Sequence, residues 1–338
     1  MRNLVAAIAA IAIFLLTAAL PASAQEQINL KLSNWLPEAH PMSKFLDEWA
    51  QGLNEKSDGR LVVETFHSGQ LGPVTEHYDM VRRGTVDIAY ILHGVNSDRF
   101  PLTGLIDIPF LVKSSVEGTK LINNTELREK YLDPEHRGVK VLFLLTNQPA
   151  QILTAEKPIE TVGDLAGLRI RFPTGVAKAF LEEMGANSVG IPPSAIAENL
   201  QKNVIDGLMI DYGGAGIAYK LGGMVKSVTE LDAYVSSFGV VINEDSYARL
   251  PDDLRAMLNE SVIGIEERIG QGWDGLNAPG KEALEEAGAN IIVPQGDALD
   301  GFREAAATVR ELVLAERDAA GVPATEAYEL MQSLAGSD

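Results

Sequence analysis

Apolar and polar residues alternate along several short segments in the first third of the chain. INLKLSNW (28–35) alternates with a period of two and predicts a β-strand, and RLVVETF (60–66) and VDIAYIL (86–92) predict two more. Apolar residues at helical spacing predict a helix over about 42–54, and a second helix is predicted near 76–83. This order of strand, helix, strand, helix and strand is typical of a parallel α/β sheet.

The same order recurs after residue 160. A capping box predicts a one-turn helix at 161–164. Three strands are predicted at 167–173, near 189 and at 204–210, and two longer helices at 176–184 and 195–202. After residue 251 the pattern is mostly helical, with a strand-like segment at 289–294. Two α/β units predict two lobes with a cleft, and ligands in such sheets bind beyond the carboxyl ends of the strands.

Two arginines stand one residue apart in the predicted strand GLRIRFP. In an extended strand Arg169 and Arg171 point to the same face, while Leu168, Ile170 and Phe172 point to the other. This face is either exposed to solvent or built to receive an anion.

The first residues have the pattern of a secretory signal peptide. Arg2 is basic, residues 4–20 are apolar, and Ala22-Ser23-Ala24 forms an A-x-A cleavage site, so we expect removal of residues 1–24. The chain has no cysteine, which excludes a lipid anchor behind the signal, disulfides and thiolate metal sites. An exported, unanchored protein is expected in the periplasm, with full secretion as the alternative.

Composition and motifs argue against several classes of function. The formal net charge of −19 argues against a nucleic-acid partner, because phosphates need a basic surface. The five histidines have no metal-ligand spacing, no G-x-S-x-G elbow occurs, and the glycines of 211–223 match no nucleotide-binding motif. We therefore predict no enzyme, no metal and no cofactor.

Six motifs carry a resemblance to a known family. They are SGQLG (68–72), RRGTVDIA (82–89), IDIPFL (106–111), DLAGLRIRFP (164–173), LQKNVIDG (200–207) and YARLPDDLR (247–255). With these motifs in order along nearly the whole chain, the sequence resembles the periplasmic solute-binding proteins of TRAP transporters, the DctP family.

The resemblance implies two α/β lobes that close on a ligand and a long helix spanning both. We expect domain I at 25–148 plus 237–276 and domain II at 149–236 plus 277–338. A small organic acid would be captured in the cleft and delivered to a TRAP membrane permease.

The resemblance also implies a ligand-binding role for Arg171, whose family counterpart forms a bidentate salt bridge to the ligand carboxylate; Arg169 is expected to be solvated or paired to a surface acid. Gln151 stands where many members have a second arginine, and His93 follows a strand that ends in glutamate in sialic-acid-binding members. These departures argue against sialic acid and against a C4-dicarboxylate. We therefore expect a monocarboxylate.

The remaining candidates stand at or near predicted strand ends, and each has a structural alternative in core packing or turn capping. The full set of predicted ligand-binding residues is Trp35, His93, Gln151, Arg171, Asp211, Tyr212 and Phe238. Two other functions stay open: a binding protein of an ATP-driven importer, and a periplasmic enzyme acting on an organic acid.

Overall fold

The computed structural model of the protein describes residues 27–335; the predicted signal peptide lies outside them. Within this range the chain forms two mixed sheets flanked by helices. The strands are β1 (Ile28–Ser33), β2 (Leu61–Phe66), β3 (Ile88–Leu92), β4 (Val139–Thr146), β5 (Ala150–Thr154), β6 (Arg169–Phe172), β7 (Asn187–Gly190), β8 (Gly207–Asp211), β9 (Ser227–Tyr234), β10 (Ser237–Asn243) and β11 (Asn290–Ile292).

The α-helices cover the faces of these sheets. They are α1 (Pro41–Lys56), α2 (His77–Arg82), α3 (Ser115–Ile122), α4 (Thr125–Leu127), α5 (Gly175–Glu183), α6 (Ile196–Gln201), α7 (Glu244–Ala248), α8 (Asp252–Ser261), α9 (Ile265–Asp274), α10 (Asn277–Glu286), α11 (Asp297–Ala319) and α12 (Ala324–Ala335). The predicted capping box is confirmed: Thr161 and Asp164 bond reciprocally and start a single helical turn.

Helix α1 shows how the sequence places a helix on a sheet. It begins at Pro41, which needs no hydrogen-bonded N–H at that position, and the His40 side chain accepts a hydrogen bond from the N–H of Met42. Leu46 and Leu53 lie on the buried face predicted from the helical spacing. No helix within 27–335 has an apolar stretch long enough to cross a membrane.

The first sheet has the strand order β2-β1-β3-β10-β4. β1 pairs in parallel with β2 and β3, as the sequence pattern predicts, but β10 runs antiparallel to both β3 and β4. The three predicted strands are therefore parallel, as expected, and β10 makes the sheet mixed. β10 enters this sheet from the cleft, at the edge where β3 ends, so it runs in the opposite direction.

The second sheet repeats this arrangement, with the order β11-β9-β5-β8-β6-β7. β6 pairs in parallel with β7 and β8, whereas β5 is antiparallel to β8 and β9. β5 corresponds to β10 of the first sheet, because each is the antiparallel strand by which the chain enters its sheet from the cleft.

Two short connections carry the chain between the sheets, one after β4 and one before β10. They lie side by side: Asn147 N donates to Ser236 O at 3.3 Å, and Ser236 N donates to Asn147 Oδ1 at 2.7 Å. This hydrogen-bonded pair of crossings joins the two lobes at one edge of the cleft.

Helix α11 is the long helix of the fold, and it contacts both lobes. Its buried side chains, such as Phe302 and Val309, pack toward α5 of the second lobe, while Arg317 near its end donates a hydrogen bond to Pro101 O in the first. The following helix α12 packs against α3 and α4 of the first lobe, although the predicted domain II runs to residue 338. The exact domain boundaries stay a prediction.

Candidate ligand-binding site

A cavity lies between the two sheets, where the carboxyl ends of β1, β3, β6 and β8 face each other. Its free space, including the part open to solvent, is about 530 Å³. Four of the predicted residues line it: Trp35 and Phe238 from the first lobe, and Arg171 and Asp211 from the second. The predicted cleft is therefore present, with Arg171 and Asp211 on the side of the second lobe and aromatic side chains on the side of the first.

Four near-parallel rings line the cavity on the side of the first lobe. The Tyr90 ring lies 5.8 Å from the Trp35 ring and 5.5 Å from the Phe238 ring, with interplanar angles of 9° and 14°. Trp273 of α9 extends the row, since its ring lies 6.2 Å from that of Phe238 at an angle of 10°. Aromatic side chains that line a pocket offer apolar surface to a ligand, so this aromatic wall suits a ligand with an apolar body.

Arg171 lies on the opposite side of the cavity and is 96% buried, with 4% exposure. Its Nε donates to Ile191 O at 3.0 Å and its Nη1 donates to Met209 O at 3.2 Å. No described residue forms an ion pair with it, and burial lowers its pKa. Because buried charges in proteins are paired or coordinate an ion, an uncompensated guanidinium facing a cavity indicates an anionic ligand.

Arg169 behaves differently, although it shares the strand. Its Nε and Nη2 donate to Asp206 at 3.0 and 2.6 Å, and 44% of its side chain is exposed. This bidentate pair confirms the prediction that Arg169 is matched with a surface acid. Only Arg171 of the two is available to the cavity.

Asp211 is the second charged group of the cavity. Its Oδ1 accepts a hydrogen bond from Gly214 N at 2.7 Å, and its Oδ2 accepts one from Asn147 Nδ2 at 2.9 Å. Burial raises its pKa above the usual range, and these hydrogen bonds counteract the rise. Asn147 belongs to the first crossing between the lobes, so the Asp211 carboxylate is hydrogen-bonded directly to that crossing.

Two donors in the aromatic wall have no partner within 27–335. They are Trp35 Nε1 and Tyr90 OH, and both atoms are buried. A buried polar group without a hydrogen bond is costly, so both donors indicate acceptor atoms supplied from outside the chain.

Comparison with known proteins agrees with this geometry. The sequence profile of the bacterial extracellular solute-binding protein family 7, DctP, matches residues 32–316. The chain belongs to this family. Members of the family are TRAP solute-binding proteins, so the resemblance of the motifs is confirmed, as is the two-lobed α/β fold.

Several solved family structures superpose on nearly the whole chain. A marine-metagenome TRAP solute-binding protein specific for aromatic acid ligands, co-crystallised with 3-hydroxybenzoate, is 26% identical, with a TM-score of 0.87 over 92% of this chain and 98% of its own. A TRAP periplasmic solute-binding protein from Bordetella bronchiseptica with bound mandelate is 26% identical, with a TM-score of 0.83 over 91% and 98%. Among curated sequences, the outer membrane transporter protein TsaT of Comamonas testosteroni is 24% identical over 331 residues, 96% of each chain.

Gln151, predicted to replace a ligand-binding arginine of the family, does not line the cavity. Its Oε1 accepts hydrogen bonds from Leu231 N at 2.7 Å and Asp232 N at 2.9 Å, and its Nε2 donates to Asp232 Oδ1 at 2.5 Å. The pairing of β5 with β9 shifts register at this point, and Asp232 has a φ of +47°. Gln151 therefore satisfies the backbone of a bulge.

His93 and Tyr212 also lie away from the cavity lining. His136 Nδ1 lies 2.8 Å from Leu132 O and must donate to it, which leaves His136 Nε2 as the acceptor for His93 Nε2 at 3.0 Å. Tyr212 OH donates to Glu230 at 2.7 Å. Tyr212 follows Asp211 directly, so strand alternation turns it to the opposite side.

Several lining residues were not predicted from the sequence. They are Tyr90, Asn147, Tyr219, Tyr234, Ser236 and Trp273. Tyr90 belongs to an apolar strand that reads as core, and Trp273 belongs to a helix distant in sequence from every motif. Position relative to the predicted domain boundaries could have indicated only Asn147, Tyr234 and Ser236, which lie in or next to the two crossings. Within 27–335 no group of three His, Asp or Glu side chains is placed to hold a metal ion.

Proposed function

We propose that this protein captures a small aromatic monocarboxylate in the periplasm, does not convert it, and delivers it to a TRAP membrane permease. The observation that carries the proposal is Arg171, a buried guanidinium in the cavity without a carboxylate partner in the described chain. A planar guanidinium matches the two oxygens of a carboxylate and stays charged when buried.

The surroundings of Arg171 favour one carboxylate and an aromatic body. Asp211 lies on the same cavity and would repel a second carboxylate. The row of four aromatic rings offers an apolar surface for a flat ligand. The two family structures that are 26% identical contain 3-hydroxybenzoate and mandelate, both of which are aromatic monocarboxylates.

Capture by lobe closure follows from the arrangement of the two sheets. Arg171 stands on one lobe and the aromatic wall on the other, and the lobes are joined by the paired crossings at Asn147 and Ser236. A ligand that contacts both sides stabilises the closed arrangement by its differential affinity for it. The closed form is then the one that docks on the permease.

The test is calorimetric titration of the mature protein with benzoate, comparing wild type with Arg171→Met and Arg169→Met. Each lost charge-assisted hydrogen bond costs about 1.5–3 kcal/mol, and Arg171→Met removes two of them, so it should weaken binding by roughly 150-fold or more. Arg169→Met is the matched control, since its partner Asp206 lies outside the cavity, and its affinity should equal that of wild type. Equal loss in both variants would overturn the proposal, and recovery of chemically altered acid would show an enzyme instead.

A further inference from the structure

The cavity has hydrogen-bonding capacity that the protein itself does not use. An ionised carboxylate offers about four acceptor positions. Asp211 Oδ1 accepts a hydrogen bond from Gly214 N and Oδ2 accepts one from Asn147 Nδ2, the backbone N–H groups of Asp211 and Gly213 also interact with the carboxylate, and it forms no ion pair with a described residue. Asp211 lines the cavity and is 4% exposed, so its carboxylate lies where a bound ligand can donate a hydrogen bond to it.

On the other side of the cavity, the Tyr90 hydroxyl is a hydrogen-bond donor without an acceptor among the described residues. The side chain of Tyr90 is fully buried. Tyr90 and Asp211 line the same cavity, and the pKa of Tyr90 is raised by burial first and then by the charges of Tyr219 and Asp211. The Tyr90 hydroxyl comes from the first lobe and the Asp211 carboxylate from the second.

We propose, on the basis of the function proposed above, that the ligand is a hydroxylated aromatic monocarboxylate. Its hydroxyl donates to Asp211 and accepts from Tyr90 OH, while its carboxylate lies on Arg171. One ligand hydroxyl thus forms hydrogen bonds to both lobes, so its recognition stabilises the closed arrangement of the lobes.

The alternatives for this second polar group fit the two residues less well. An ammonium group has donors alone, so it would pair with Asp211 but leave Tyr90 OH without an acceptor. A second carboxylate accepts from Tyr90 but faces the charge of Asp211. A ligand without a substituent leaves both groups unpaired in a buried site, and such sites strongly reject analogues that lack the expected hydroxyl.

The experiment compares each hydroxylated acid with its hydroxyl-free counterpart by calorimetry on the mature wild-type protein. The pairs are 3-hydroxybenzoate and 4-hydroxybenzoate against benzoate, and mandelate against phenylacetate. We expect at least one hydroxylated acid to bind tenfold or more tightly than its counterpart. Equal affinities in all pairs, or tighter binding of 3-(aminomethyl)benzoate than of every hydroxy acid, would overturn the inference.

Variants assign the preference to its residues. In Tyr90→Phe and in Asp211→Asn the affinity ratio within the preferred pair should fall by at least fivefold. Tyr78→Phe is the matched control, because the Tyr78 hydroxyl donates to Arg137 O away from the cavity, and its ratio should equal that of wild type. If both cavity variants keep the wild-type affinity ratio, the assignment of the preference to Tyr90 and Asp211 is wrong. If a variant does not fold, the affinity ratios of the wild-type protein decide whether the ligand is a hydroxylated acid.

The two proposals fail in different ways. If none of the acids binds, the proposed function is wrong. If benzoate and phenylacetate bind as tightly as their hydroxylated counterparts, the function stands and only the hydroxyl preference is wrong.

Discussion

Gly94 lies at a close approach between the two lobes, and a single methyl group there should obstruct closure. A Cβ at residue 94 would lie 2.4 Å from Thr174 Cγ2, 2.7 Å from its Cβ and 3.2 Å from its Cα. Gly94 follows β3 of the first sheet, and Thr174 follows β6 of the second. The perturbation Gly94→Ala therefore acts across the cleft.

Thr174 has little freedom to move aside. Its Oγ1 accepts the N–H of Ala177 as the N-cap of α5, and β-branched side chains are stiff at χ1. Relief of the contact needs a displacement of about 1 Å between packed elements, since interiors are close-packed. Overpacking of this kind costs about 1–3 kcal/mol, and we expect the ligand-free protein to avoid this cost by opening.

The penalty should consequently appear in ligand affinity. We expect Gly94→Ala to weaken binding of the preferred acid by roughly 5- to 150-fold in calorimetry, with a small change in the thermal midpoint of the ligand-free protein. Gly175→Ala is the matched control, because its added Cβ meets Ser97 across the same cleft at an ordinary 3.5 Å. Wild-type affinity in Gly94→Ala, or an equal loss in both variants, would refute closure by this contact.

Three further predictions follow from the described contacts. Gln151→Ala should lower the free energy of unfolding by about 2–4 kcal/mol, because the buried Leu231 N–H and the part-buried Asp232 N–H lose their acceptor. Its ligand affinity, measured by calorimetry on the folded protein, should stay that of wild type, and a selective loss of affinity would restore the family's ligand role to Gln151. Burial lowers the pKa of His136 to about 4 and that of His93 well below 6.5, so their contribution to stability is present above pH 6.5 and is lost as the pH falls toward 4. The free energy of unfolding of His136→Asn should then fall less steeply over this range than that of wild type, and parallel pH profiles would contradict the assignment. Ligand should change the tryptophan fluorescence of Trp49→Phe as much as that of wild type but change that of Trp35→Phe less, because Trp35 lines the cavity and Trp49 packs on Phe143.

The lobes were predictable from local patterns. Alternation identified β1, and capping and helical spacing identified the turn at 161–164 and helix α1, because these signals depend on neighbouring residues alone. The antiparallel strands β5 and β10 were not predictable in this way. Their direction depends on where the chain crosses the cleft, which is a long-range property.

The site was predictable where chain position and chemistry agree. Arg171 follows from a strand position and a family motif, and because Arg169 shares its strand face, only the family resemblance separated the two arginines. His93 could not be assigned from sequence, since its partner His136 is 43 residues away and no motif links them. Tyr90 was missed because an aromatic residue within an apolar strand indicates core packing, and only the unpartnered hydroxyl distinguishes it.

The central claim is that the guanidinium of Arg171 holds the ligand carboxylate. A crystal structure of the mature protein with the tightest-binding acid tests it directly. We expect both carboxylate oxygens to lie about 2.7–2.9 Å from nitrogens of Arg171, as in charge-assisted hydrogen bonds, with the aromatic ring against Tyr90 and Phe238. A carboxylate bound elsewhere, with Arg171 still contacting only Ile191 O and Met209 O, would contradict the account.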